Sequence, residues 1–265
     1  MFRKVCVGMG VYYDPNVRLL VVVWKTLRVW RYDDLRASFW RMYWDGDPGA
    51  YIRYGRRRVD LTPDRMVLVP PGMVLVQRLM APVARHLSVH FLADAPYDRL
   101  APRLYTFPAE ASMTNRILAF PLDDADALRN DLAVSVAVRG MLLHLLSQIP
   151  PSHLDQRRLP TRLGESMRHV EASLRQGLTN REIAAHMNMS VNAMLRQYRE
   201  ELNLSPQEYL RRKRVERVCV LLHDPARSIK QIADETGFCD RYHLSRVFKS
   251  IQGLSPQQYR QRHGL

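Results

Sequence analysis

A helix, a tight turn and a second helix are written twice near the end of this 265-residue chain, 49 to 50 positions apart, and that repeat constrains the fold more than any other feature. In the later copy Ser228 and Gln231 have the form of a capping box that starts a helix. Ile229, Ile232 and Ala233 then recur at helical spacing. Gly237 breaks the helix, as a residue at ease with positive φ. Asp240 suits the N-cap of the next helix. That helix has one apolar face, Leu244, Val247, Phe248 and Ile251, and one polar face, Arg241, Ser245, Arg246 and Lys249. In the earlier copy Ile183 and Ala184 precede Ile232 and Ala233 by 49 positions, and Asn188 and Met189 match Gly237 and Phe238. Past the turn the offset is 50: Met194 with Leu244, Arg196 with Arg246, Tyr198 with Phe248, Leu204-Ser205-Pro206 with Leu254-Ser255-Pro256, and Tyr209 with Tyr259. A match that carries Arg, Ser-Pro and Tyr in register marks two copies of one supersecondary unit.

Two short helices about a tight turn, the second with a basic outer face, form the pattern of a helix-turn-helix. The stretch from about Gly164 to His263 resembles the DNA-binding domain of the AraC/XylS transcription regulators. The resemblance rests on Gly237-Phe238, Leu244-Ser245-Arg246-Val247-Phe248-Lys249, Gly253-Leu254-Ser255-Pro256 and Tyr259-Arg260. It implies a sequence-specific gene regulator.

Composition is compatible with that reading without proving it. The formal charge is +14, which favours polyanionic partners. From Thr161 onward there are 18 basic and 11 acidic residues, so the excess is denser there, yet the first 160 residues carry as much of it. Cys6, Cys219 and Cys239 lack metal-like spacing and suggest a reducing compartment without a disulfide framework. The first 14 residues lack the apolar core of a signal peptide. The longest apolar run, Leu19 to Trp24, is far too short to span a bilayer. A soluble, cytoplasmic protein without a membrane partner is expected.

Residues up to about Pro108 read as β structure. Leu19–Trp24, Phe39–Trp44, Tyr51–Tyr54, Asp60-Leu61 beyond Gly55, Met66–Val69, Met73–Val76 and Arg85–Phe91 are the expected strands, punctuated by Gly and Pro as in a barrel or jelly roll. WRMYW, VLVPPG and HLSVHF resemble the cupin-like sensor domain of the same family. Helix is expected after Thr114, with Asp123-Asp124 starting a helix whose apolar residues run from Leu128 to Ile149. That helix packs on its own barrel or forms a homodimer seam, and one helix can do both. Pro150-Pro151 stops it. The expected division is a cupin-like domain over 1–150, a linker over 151–162, and a DNA-binding domain over 163–265. The fold class is therefore α+β with two domains: a cupin-like barrel or jelly roll followed by helices, then an all-α domain. In the all-α domain a helix opened by a capping box at Ser205/Glu208, with Pro206 at its first position, joins two helix-turn-helix units that are opened by capping boxes at Thr179/Glu182 and Ser228/Gln231.

The candidate DNA readers follow from the outer faces of the two second helices. In the later unit they are Arg241, Tyr242, Ser245, Arg246 and Lys249. Arg reads guanine O6 and N7 with two hydrogen bonds, while Ser and Lys reach bases or phosphates. The resemblance implies that the positions of Arg241, Tyr242, Ser245 and Arg246 face DNA. In the earlier unit the candidates are Asn192, Leu195, Arg196 and Arg199. Leu195 stands where the family usually has a polar reader, so Arg196 is expected to carry that unit's specificity, with Arg199 nearer a phosphate. Arg211-Arg212-Lys213-Arg214 reads either as a solvated face or as a phosphate contact.

In the first domain His86, Ser88 and His90 share one strand face by the period of two. Two histidines can hold a metal, but nothing from Gly49 to Gly55 supplies the rest of a cupin metal set, so no metal or cofactor is expected. Trp40, Trp44, Tyr51 and Arg53, with His86 and His90, are the candidate ligand residues. Aromatic faces beside Arg suit a sugar or a small organic acid, although core packing accounts for buried aromatics equally well. No Ser-His-Asp order, phosphate loop or catalytic Cys emerges, and an enzyme is not expected. The resulting expectation is a regulator of transcription, an activator by resemblance, controlled by a small-molecule effector, with double-stranded DNA, RNA polymerase and a second copy of the chain as partners. The rival readings are a cupin metal enzyme tethered to DNA and an effector-independent DNA-binding protein.

Overall fold

The structure is a computed structural model that describes residues 16–263 except 36, 38, 95, 98, 99, 101, 125, 126, 129, 130, 155–159 and 223. Cys6 and the reading of the first 14 residues, and the middle of the expected linker, lie outside the described residues. Nine strands are described: β1 Val17–Leu27, β2 Arg31–Leu35, β3 Trp40–Asp45, β4 Ala50–Tyr54, β5 Arg57–Leu61, β6 Arg65–Val69, β7 Leu75–Leu79, β8 Ala84–Ala93 and β9 Tyr105–Pro108. They form two antiparallel sheets, ordered β1-β8-β3-β6-β9 and β2-β7-β4-β5. Tyr43, Val67 and Val69 of the first sheet meet Ile52, Leu61 and Leu75 of the second in one core. This is the two-sheet jelly-roll arrangement expected from the sequence.

The five-stranded sheet is buried on its outer face as well. There Trp40, Met42, Trp44, Leu87, Val89 and Phe91 pack under helices α1 (Ala111–Leu118) and α2 (Leu132–Ser147), through Ile117, Val134, Val138, Leu142 and Leu145. All six positions of β3 are therefore buried, as in a strand covered on both faces.

Helices α3 (Thr161–Ala172), α4 (Asn180–His186), α5 (Val191–Leu202), α6 (Pro206–Leu222), α7 (Ile229–Thr236), α8 (Arg241–Gln252) and α9 (Pro256–His263) complete the chain. All three expected capping boxes close reciprocally, at Thr179 with Glu182, at Ser205 with Glu208 and at Ser228 with Gln231. Two cores result. Leu163, Ile183, Met194 and Tyr198 form one with Tyr209 and Leu210 of α6. Ile232, Phe238, Leu244, Phe248 and Tyr259 form the other with Val215, Val218 and Leu222 of the same helix. α6 is thus the shared linking helix. At about 1.5 Å per residue its 17 residues span about 25 Å.

The two halves touch. Ala37, Phe39 and Leu92 enter the second helical core, and Phe39 meets Tyr259 edge-on with ring centroids 6.4 Å apart.

Three expectations need correction. β7 is Leu75–Leu79 rather than Met73–Val76, because residues 70–74 make the Pro-Pro-Gly turn and its exit. β2 and β9 were not anticipated: β2 is the polar sequence RYDDL at a sheet edge and β9 has only four residues. The long second helix starts at Leu132, capped by Asp131, which accepts from the Ala133 and Val134 amides. Asp123 has φ 61° and accepts instead from the amide and hydroxyl of Thr26. Asp124 accepts from the Ala127 amide.

Candidate nucleic-acid interface

α5 and α8 each begin with a capping side chain and expose one basic face. Ser190 accepts from the Ala193 amide. Asp240 accepts from the amides of Tyr242 and His243 at 2.7 Å each, and these backbone donors hold its carboxyl below the usual range. Burial then fixes the rotation of each helix. Met194 and Tyr198 of α5, and Leu244 and Phe248 of α8, are fully buried. Asn192, Arg196 and Arg199 are consequently exposed on α5, and Arg241, Tyr242, Arg246 and Lys249 on α8. Ser245 is half-buried. Leu195 is too, packed against the first core.

The structure therefore brings the expected readers together as two outward faces. Arg196, Arg199, Arg246 and Lys249 have no carboxylate partner among the described residues. Tyr242 is 70% exposed. Its hydroxyl accepts from Arg241 at 2.7 Å, and the Arg241 guanidinium lies over its ring.

The basic run on α6 divides. Arg211 and Arg212 are exposed. Lys213 is held by Glu216 at 3.1 Å and Glu171 at 3.4 Å. Arg214 donates to the Leu174 carbonyl at 2.8 Å and its guanidinium lies 5.8 Å from the Phe238 ring centroid. It also closes over Gly177 and Gly237: a Cβ on Gly237 would lie 2.4 Å from the Arg175 carbonyl oxygen and 2.7 Å from an Arg214 nitrogen. The two units thus meet directly, at the end of the α3 segment, besides sharing α6. Sequence reasoning missed Arg214 because it sits in a run of identical charges. The change from Asn188 in the first copy to Gly237 in the second reads in the sequence as a turn, and the close approach to Gly237 does not show there.

In the first domain the six candidate ligand residues do not gather around one cavity. Trp40 and Trp44 lie on the α2 side of the sheet, with their indole N–H groups donating to the carbonyls of Tyr97 and Pro63. His86 and His90 lie on the opposite face, between the sheets. There His86 Nδ1 is 2.6 Å from Asp45 Oδ1, and both side chains are buried. His90 packs against Phe39. Tyr51 lies under the Arg58 guanidinium, and Arg53 is exposed. The physical reason is that β3 has two buried faces, and its tryptophans serve the helix-covered one. Among the described residues no three His, Cys, Asp or Glu side chains are grouped to hold a metal.

The cavity between the sheets, lined by Tyr43, Gln77, His86 and His90, measures about 70 Å³. Two larger cavities lie between the domains, of about 420 and 410 Å³. Both are lined by Arg18, Leu92, Lys213 and Glu216, and the first also by Trp40 and Arg212. Among the described residues no helix is long and apolar enough to cross a membrane.

Comparison with known proteins agrees with this architecture. A family described as a helix-turn-helix domain matches residues 183–262. The Msm operon regulatory protein of Streptococcus mutans is 29% identical over 133 residues, covering 49% of this chain and 48% of that protein. The HTH-type transcriptional activator RhaS of Klebsiella pneumoniae is 32% identical over 100 residues, covering 38% of this chain and 36% of that protein. The chain thus spans about half, or less, of the length of these curated relatives. Among solved structures, unsaturated fatty acid bound ToxT from Vibrio cholerae superposes with a TM-score of 0.55 at 13% identity, covering 95% of this chain and 96% of that one. That likeness extends the shared fold to the N-terminal domain.

Proposed function

We propose, from the premise that this chain carries an AraC-type helix-turn-helix domain, that it is a sequence-specific DNA-binding regulator of transcription that acts as an activator. The observation that carries the reading is the paired exposure of Arg196 and Arg246 at repeat-matched positions, on helices whose opposite faces are buried. One chain then offers two readers to successive major grooves, about 34 Å apart along one face of DNA, set by the rod of α6 and the contact at Gly237. The purified chain should enrich a recurrent motif from a pool of random-sequence duplexes. Equal retention of all sequences contradicts the reading.

The effector belongs in the crevice between the domains, where the cavities reach the size that small ligands need, roughly 300–1,000 Å³. The space between the sheets is too small for a sugar. Arg18 and Lys213 there are taken up by Asp94 and by Glu216 and Glu171. Arg212, which has no carboxylate partner among the described residues, lies beside Trp40 and Leu92 and suits a carboxylate on an apolar body, hence an organic acid, and the fatty acid bound by ToxT is of that class. A ligand there contacts both halves and shifts their arrangement. Unsaturated fatty acids, but not sugars, should raise the melting temperature, and Arg212→Ala should reduce that rise. The exposed face of α2, with Leu132 77%, Val136 61% and Leu143 41% accessible, is the seam for a second copy of the chain.

A further inference from the structure

The β4–β5 hairpin carries Arg53, Arg56, Arg57 and Arg58, all exposed. Its register puts Arg53 directly opposite Arg58, and like charges so paired destabilise a sheet. Arg58 is drawn away, to Asp60 at 2.6 Å and over the Tyr51 ring at 4.0 Å. Arg53 donates to the Gly55 carbonyl at 3.0 Å. Arg56 and Arg57, at the tip, have no carboxylate partner among the described residues. β5 is also a sheet edge, where charge prevents association with other strands. Either sign would serve that purpose, but the tip holds only one.

The topology says where the tip points. β4 pairs with β7 so that Ala50 meets Leu79 and Arg53 meets Val76. The hairpin turn therefore lies beside Leu75, at the end of the sheet from which the Pro71-Gly72 turn emerges. The Gly72 amide donates to the Ala37 carbonyl at 2.7 Å. Ala37, Pro71 and Gly72 face Arg212 of α6 and Ser250 and Ile251 of α8 across the crevice. The unpaired arginines thus stand at the end of the sandwich that abuts the helical domain, whose own formal charge is positive and so offers them no counterion surface.

We propose that the tip of this hairpin, through Arg56 and Arg57, is a third DNA contact, binding backbone phosphates outside the bases read by α5 and α8. The inference rests on the DNA-binding reading above. Arg is suited to it, because its planar donors match phosphate oxygens. Once the helical domain has docked, the hairpin meets neighbouring phosphates at high effective concentration. The contact adds affinity without sequence preference.

The test uses the full chain and a mixed-sequence duplex of about 40 base pairs, or four helical turns, with affinity followed by fluorescence anisotropy against NaCl. Each phosphate neutralised contributes about 0.9 to the slope of log affinity on log salt. Arg56→Gln with Arg57→Gln should lower that slope by about 1.8, so that its affinity falls roughly tenfold less than wild type between about 50 and 200 mM. Arg56→Lys with Arg57→Lys should keep the slope. An unchanged slope in the Gln variant overturns the proposal and makes an acidic protein segment the better occupant. A slope lowered equally in the Lys variant marks a distorted hairpin and overturns it as well. Arg246→Ala with Lys249→Ala separates the two readings: if that variant loses binding while the Gln variant matches wild type, only the hairpin contact fails. If the wild-type chain binds no duplex, both fail.

Discussion

Asn188 and Gly237 occupy matching positions in the two helix-turn-helix units, and both hold a left-handed backbone, with φ of 51° and 78°. The same pairing recurs at Asn203, φ 52°, and Gly253, φ 77°. Asn tolerates this conformation and Gly adopts it freely, so one geometry is met by different residues in each copy. The consequences of substitution differ. Asn188→Ala should cost about 1 kcal/mol. Gly237→Ala adds a clash with the Arg175 and Leu174 carbonyls and should cost about 1–3 kcal/mol more. Urea unfolding of the two variants checks the order, and equal losses would contradict it.

Phe39 and Tyr259 join the two halves through ring contact. Phe39→Ala should destabilise the chain by about 3 kcal/mol or more, since Phe39 is almost wholly buried. A double-mutant cycle with Tyr259→Leu should return a coupling of about 0.5–1.5 kcal/mol. Zero coupling would mean that the halves fold side by side without this contact. A fragment from Thr161 to Leu265 should nonetheless fold on its own two cores and bind the same DNA, with a lower melting temperature than the full chain.

Asp240, Glu182 and Glu208 are each held below the usual carboxylate range by backbone amides at helix starts: those of His243 and Tyr242, of Thr179, and of Ser205. A carboxylate depressed in the folded state contributes stability that is present above its unfolded value and is lost as pH falls through the folded one. For Asp240 the ordinary value is 3.8, so the loss belongs to pH below that. The melting temperature should hold at neutral pH and fall in strong acid. Asp240→Asn keeps an N-cap acceptor and should shrink the acid loss. An unaltered pH profile in Asp240→Asn would exclude Asp240 as a source.

What the sequence reveals and what it hides follow from distance along the chain. The capping boxes at Thr179 and Ser228, the N-cap at Asp240 and the burial of Leu244 and Phe248 are decided within a few residues, and all are legible. β2 is hidden because one edge strand with a solvated face has no apolar alternation to show. The fate of Trp40 and Trp44 is hidden because both faces of β3 are buried, and only the docking of α2 shows that the tryptophan face packs under a helix rather than around a ligand. Lys213 and Arg214 resemble Arg211 and Arg212 in sequence. They differ because Glu171, Glu216 and the Leu174 carbonyl, brought in by folding, engage two of the four.

The most direct test of two readers on one chain is motif enrichment from random duplex DNA, repeated with Arg196→Ala and with Arg246→Ala. Wild type should enrich two clusters of bases separated by about one helical turn, 10–10.5 base pairs. Each substitution should erase preference within one cluster, a different one in each case, and cost about 1–3 kcal/mol in affinity. A single enriched cluster, or two clusters untouched by either substitution, would contradict the account.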